Sequence, residues 1–187
     1  MTAMTEPETP HDQDAEARMR QRYRAVRAGL APDTPVAVLH IGAEASALAF
    51  GHGPEASTVL PLALGRQRTA RRQFRRSPPT ALELENAIAE VEDEVVRAHR
   101  QVVPGTALYT QDDGIRQIAQ LAGVAPAPTM VLSVQALEYT FDRLAALALG
   151  RPASSDVLPA STEFAATLLI LRECVHHLQF PSITVCP

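Results

Sequence analysis

Residues 36–62 most constrain what this chain can fold into. The β-branched run Val36 to Ile41 and the stretches Ala45–Phe50 and Thr58–Leu62 are each the length of a strand, and Gly, Pro and Glu turns divide them. Three strands so close together read as an antiparallel meander, which has one face to bury and therefore needs helices to cover it. The rest of the chain supplies them. In TALELENAIAEVEDEVVRAHR, Leu84, Ile88, Val91 and Val95 recur at helical spacing, and Thr80 with Glu83 three residues later forms a capping-box pattern. After Gly105 the run Ala107 to Tyr109 reads as a strand, and DDGIRQIAQLAG as a helix closed by Gly123. Ser133 caps a helix through Leu149, another runs from about Ser161 to Leu178, and SITVC makes a last short strand. The expected fold is a single α/β domain with a mixed sheet of about five strands and helices on its faces.

Ahead of the meander, residues 1–11 are polar, acidic and proline-containing and are expected to be a disordered tail. Residues 12–30 read as an amphipathic helix with a thin stripe of Ala15, Met19, Tyr23, Val26 and Leu30. That stripe packs on its own domain or docks on a second protein or subunit. Residues 31–187 form the α/β domain.

Composition removes several classes of function. All seventeen basic residues are arginine, so Schiff-base catalysis, a Walker A lysine and the kinase strand lysine are excluded. Aromatic residues are 4% with no tryptophan, which disfavours base stacking, and no motif for sequence-specific nucleic-acid binding is present. No run approaches the roughly 20 apolar residues of a membrane span. Cys174 and Cys186 have no partnered spacing, and no basic, apolar leader opens the chain, so a cytoplasmic protein is expected.

Two segments carry charge or ligand chemistry. Arg66, Arg68, Arg71, Arg72, Arg75 and Arg76 place six guanidinium forks within eleven residues. They bind an anion or an acidic partner, or they solvate the surface and pair with the acids of residues 83–94. Cys174 and His177 share a helix face, with His176 adjacent, but two ligands do not make a metal site, and His40, His52 and His99 have no spacing that completes one. No metal is assigned.

The segment VAVLHIGAEASALAFGHG resembles the strand-turn-strand of the exopolyphosphatase and guanosine pentaphosphate phosphatase family, whose phosphate loop reads roughly Asp-Ile-Gly-Gly-Gly-Ser-Thr-Glu. LPLALGRQRTARRQFRRSPPTALELENAI, ALYTQDDGIRQIAQLAG and SSDVLPASTEFAATLLIL are similar, in order, to later segments of that family. The resemblance runs from about Val36 to Cys186 and implies an actin-like, ribonuclease H-like half of a two-lobed enzyme. It implies His40 at the leading acid position, Gly42 at the first glycine, Ala43 and Glu44 at the next two, then Ala45, Ser46 and Ala47. In the second loop Thr110, Asp112 and Asp113 stand at glycine positions, with Gly114 nearby. A glutamate in a phosphate cradle repels the ligand, and the lobe carrying the first phosphate loop is not represented in the roughly 35 residues before the first strand. The expectation is a catalytically inactive relative serving as an interaction, regulatory or assembly module with a protein partner or a second copy. The alternative is a residual Mg²⁺-dependent phosphohydrolase or nucleotide-binding protein using Glu44, Asp112 and Asp113, completed by oligomerisation. Asp112 and Asp113 are otherwise read as capping residues.

Overall fold

A computed structural model describes residues 10–187, with side chains from Gln13 onward. Most of the expected tail therefore lies outside the described residues; its last two positions begin helix α1 (Pro10–Arg27). The meander follows as β1 (Val36–Ile41), β2 (Ser46–Gly51) and β3 (Thr58–Leu62). Then come α2 (Arg66–Gln73), α3 (Ala81–Val95), a 3-10 segment Val96–Gln101 and β4 (Ala107–Thr110). The chain closes with α4 (Asp113–Leu121), β5 (Met130–Ser133), α5 (Val134–Ala148), α6 (Thr162–His177) and β6 (Ser182–Val185).

The six strands lie in the order β3-β2-β1-β4-β6-β5. The three strands of the meander are antiparallel, with His40 opposite Ala47 and Ile41 opposite Ser46. β4 pairs parallel to β1 and to β6, and β5 runs antiparallel to β6. The carboxyl ends of β1, β4 and β6 consequently share one edge of the sheet, where parallel α/β architectures place ligand chemistry.

Two departures from the expected elements have local causes. β5 is a sixth strand: four residues ending on the Ser133 cap are too few to show period-two alternation, and pairing with β6 makes them a strand. The arginine segment is helical as α2, although it has only Thr69 and Ala70 as buried positions.

The two faces of the sheet are covered unequally. On one, α6 lies at the centre with Leu168, Leu169, Ile170 and Leu171 all at 0% exposure, and α2, α3, α4 and α5 pack around it. A helix apolar on every side belongs in such a position, and each buried leucine stabilises by about 2 kcal/mol through area removed from water. Ser161 accepts the Phe164 amide at 3.3 Å to start α6. Thr80 and Glu83 form the expected capping box on α3. On the other face α1 is alone, its stripe of Met19, Tyr23 and Val26 pressed on Val36, Val38 and Ala49. The stripe is thereby taken up within the domain. No helix among the described residues is long and apolar enough to cross a membrane.

Candidate functional site

The site builds from the carboxyl edge of the sheet. Strand alternation sends Ile41 into the main core and His40 to the α1 face. His40 Nδ1 lies 2.7 Å from Asp112 Oδ1, and the Ile41 amide donates to Asp112 Oδ2 at 2.7 Å. Arg22, from α1, stands 3.5 Å from Asp112 Oδ1. Residues from α1, β1 and the turn before α4 thus converge on one carboxylate whose side chain is only 10% exposed.

This corrects the reading of Asp112 as a helix cap. It occupies the N-cap position of α4 but makes no side-chain capping bond. Its own amide donates to Thr110 Oγ1 at 3.1 Å, and its carboxylate turns away to the end of β1. The Ile41 amide at the strand end needs an acceptor, and an anionic one is stronger than a neutral one.

The first turn closes on itself. The amides of Arg66, Gln67 and Arg68, at the start of α2, donate to Gly42 and Ala43 carbonyls at 2.9, 2.9 and 3.1 Å. Those are the donors a helix N-terminus offers an anion, and here the turn's own oxygens accept them. The approach is so close that a Cβ on Gly65 would lie 2.4 Å from the Ala43 oxygen, and one on Gly42 would lie 2.3 Å from the Ala45 oxygen. Only glycine fits at either position.

Glu44 leaves the turn for the arginine segment. Arg71 Nη2 donates to Glu44 Oε2 at 2.6 Å and holds its carboxyl below the ordinary carboxylate range. The expected grouping of Glu44 with Asp112 and Asp113 around a divalent ion does not form. Both Asp112 oxygens are engaged, Asp113 is exposed in the first turn of α4, and among the described residues no three His, Cys, Asp or Glu side chains converge as a metal-binding group. The residues present do not fit Mg²⁺. Ser46 shares the core face with its partner Ile41, away from His40, and its buried hydroxyl has no hydrogen-bond partner among the described residues. Gly114 is exposed on α4, with Thr167 Cγ2 3.6 Å from where a Cβ would stand.

His40 lines a cleft of about 700 Å³ between α1 and the meander, walled by Arg18, Met19, Arg22, Val59 and Pro61. With Nδ1 on Asp112, the imidazole has its Nε2 edge beside Gly42, a Cβ at which would lie 3.5 Å from that nitrogen. Arg22 is the residue that sequence reasoning missed. Its place beside the Met19 and Tyr23 stripe marks it as flanking the buried side of α1, but its meeting with Asp112 ninety positions away has no signal in the sequence.

Other sequence candidates separate. Arg66, Arg71 and Arg72 pair with Glu163, Glu44 and Glu90, so only Arg72 meets the acidic helix by an ion pair. The Arg75 amide, by contrast, donates to Glu83. Arg68, Arg75 and Arg76 have no ion pair among the described residues. Cys174 is fully buried and burial pushes its thiol up to about 12, while His177 turns to Glu173 at 3.0 Å, so the two do not form a ligand pair. His176 lies 3.3 Å from Glu138. His52 borders a separate cavity at the far end of α1, and His99 one at the opposite edge of the sheet.

A mixed sheet with a leading meander, packed under helices, defines an actin-like α/β protein. More particularly, the fold is that of the Ppx/GppA exopolyphosphatase structures. The type II variant of the Ppx/GppA phosphatase of Aquifex aeolicus superposes with a TM-score of 0.75 at 20% identity, covering 90% of this chain and 58% of its own. An exopolyphosphatase from Cytophaga hutchinsonii gives 0.67 at 16%, covering 91% and 59%. An exopolyphosphatase-like protein gives 0.68 at 14%, covering 90% and 62%. This chain spans about three fifths of the length of these structures. No family model matches it, and no curated protein does.

Proposed function

We propose that this chain is a non-catalytic module with the exopolyphosphatase fold that assembles with a second copy through its arginine segment, residues 66–76. The observation that carries the non-catalytic reading is the closure of the first turn: three α2 amides are bonded to Gly42 and Ala43 carbonyls, so the turn presents oxygens where a phosphate needs donors. Glu44 stands in the same turn with its charge paired to Arg71.

The assembly reading draws on α2 and the turn that follows it. Arg75 and Arg76 are exposed and Arg68 half-buried, all without an ion pair among the described residues, while Glu85 and Asp93 are exposed on α3. Guanidinium forks on one copy and carboxylates on the other are complementary, and such an association weakens with salt. α1, by contrast, uses its apolar stripe within its own domain.

The test joins phosphate release with light scattering. The unaltered protein is expected to release no phosphate from polyphosphate or nucleotides with Mg²⁺. At low salt its mass should exceed the monomer's 20.2 kDa and return to it in Arg75→Ala/Arg76→Ala. Release that disappears in Asp112→Ala overturns the first half, and a monomer at low salt overturns the second.

One observation favours a second reading. An imidazole anchored by a carboxylate through Nδ1, with Nε2 free at a cleft, is the arrangement of a positioned general base. A metal-independent hydrolase acting through His40 therefore stands as the alternative, and activity lost in both His40→Gln and Asp112→Ala supports it.

A further inference from the structure

The carboxyl-terminal turn of α1 buries a second cation that the site above does not use. Arg27 follows Val26 beneath the helix and is only 7% exposed. Arg24, one turn earlier, pairs with Glu55 at 3.2 Å. Arg27 Nη1, by contrast, is buried without a hydrogen-bond partner among the described residues. An ionised group taken from water without an acceptor is among the costliest features a fold can carry, and burial this deep points to an acceptor supplied from outside.

The space for it is present. Arg27 lines a cavity of about 450 Å³ between α1 and the turn joining β2 to β3, bordered also by Arg24, Asp33, His52 and Pro54. Its walls are held in place, because Tyr23 Oη donates to the Gly53 carbonyl at 3.0 Å and pins that turn to the helix. The volume falls in the small-molecule range.

We propose that this cavity binds a small organic carboxylate, received by the Arg27 guanidinium. Arg27 lines the cavity, and a planar guanidinium fork matches a planar carboxylate. The surroundings select against a dianion: Glu55 and Asp33 stand at the border, and the negative end of the α1 dipole faces the same space. His52 and Arg24 supply donors at the mouth. The site is separate from the His40 cleft and independent of the assembly reading.

The experiment is calorimetric titration of the full chain with acetate, propionate and glutamate, each of net charge −1 at neutral pH, at constant ionic strength, with inorganic phosphate as the comparison. At least one carboxylate is expected to bind saturably, with phosphate about tenfold weaker or more. Arg27→Gln should lower carboxylate affinity at least about tenfold, the loss of charge-assisted hydrogen bonds. Arg27→Lys, which keeps the charge but not the fork, gives the same test if the glutamine variant misfolds, and is expected to bind several-fold more weakly than the native protein. Arg71→Ala should leave binding unchanged. Three results overturn the proposal: no carboxylate binds the native protein at tens of millimolar, phosphate binds as tightly as the carboxylates, or affinity survives in the Arg27 variants. A side chain of Asp33 or Glu55 that swings onto Arg27 in solution produces the first of these.

Discussion

The two faces of the sheet divide labour. Five helices bury one face, and its centre, α6, has no exposed residue between Phe164 and Leu171. A single helix covers the other with a three-residue stripe. The thick face is a continuous apolar core. The thin face cannot be sealed by one helix, and both the His40 cleft and the Arg27 cavity flank α1 there. Burial is deepest where coverage is complete, and the two candidate sites lie where it is not.

This contrast can be broken by measurement. Leu169→Ala, at the centre of the thick face, should lower unfolding free energy by about 3 kcal/mol through lost burial and a residual cavity, read from urea denaturation. A loss below that of the thin-face variant described last would refute the contrast.

A smaller effect belongs to the Arg143 and Asp156 pair, which ties α5 to the loop before α6 on the thick face. Arg143 donates to Asp156 through Nε at 3.1 Å and Nη2 at 2.6 Å, and the Leu158 amide adds a bond at 3.0 Å. Chiefly through the Arg143 hydrogen bonds, the Asp156 carboxyl falls from 3.8 to about 2. A depressed carboxylate stabilises the fold above its unfolded pKa and loses that contribution as pH falls toward the folded value. Asp156→Asn should therefore cost about 2 kcal/mol at pH 7. The gap between variant and native protein should narrow between about pH 4 and pH 2, and a gap independent of pH would show that the pair contributes nothing through charge.

The smallest effect is expected on the thin face. Tyr23→Phe removes only the hydrogen bond to the Gly53 carbonyl and should cost about 1 kcal/mol. Hydrogen exchange of the turn at residues 52–57 should quicken more than exchange in α6. Equal changes in both would mean that α1 and the core open as one unit.

Much of this architecture is legible along the chain because it depends on local pattern. The meander, the capping box at Thr80 and Glu83, the Ser133 cap and the periodic face of α3 each rest on residues within a few positions of one another. β5 and α2 were not legible in the same way. Four residues show no period, and an arginine-rich octet with two buried positions has too thin a stripe to declare a helix.

The candidate site was half legible. His40, Gly42, Glu44 and Asp112 were marked as positions of interest by the resemblance of their segments to phosphate loops, but their relations were not. Glu44 and Asp112 look alike in sequence, two acids in two turns of one sheet edge. In the fold Glu44 meets Arg71 at the surface, and Asp112 turns inward to His40 and Ile41. Arg22 and Arg27 belong to one series of helix arginines, distinguished only by which of them rotates beneath α1.

The sequence by itself determined most of the elements, the order in which they follow and the exclusion of lysine chemistry, because propensity, periodicity and composition act over a few residues at a time. Only the tertiary structure decided that the first turn's oxygens take the α2 amides, that Asp112 holds β1 rather than capping α4, and that Arg27 lacks an acceptor. Each of those depends on which groups packing brings within hydrogen-bond reach and which it shuts away from water, and neither quantity is a property of any short stretch of chain.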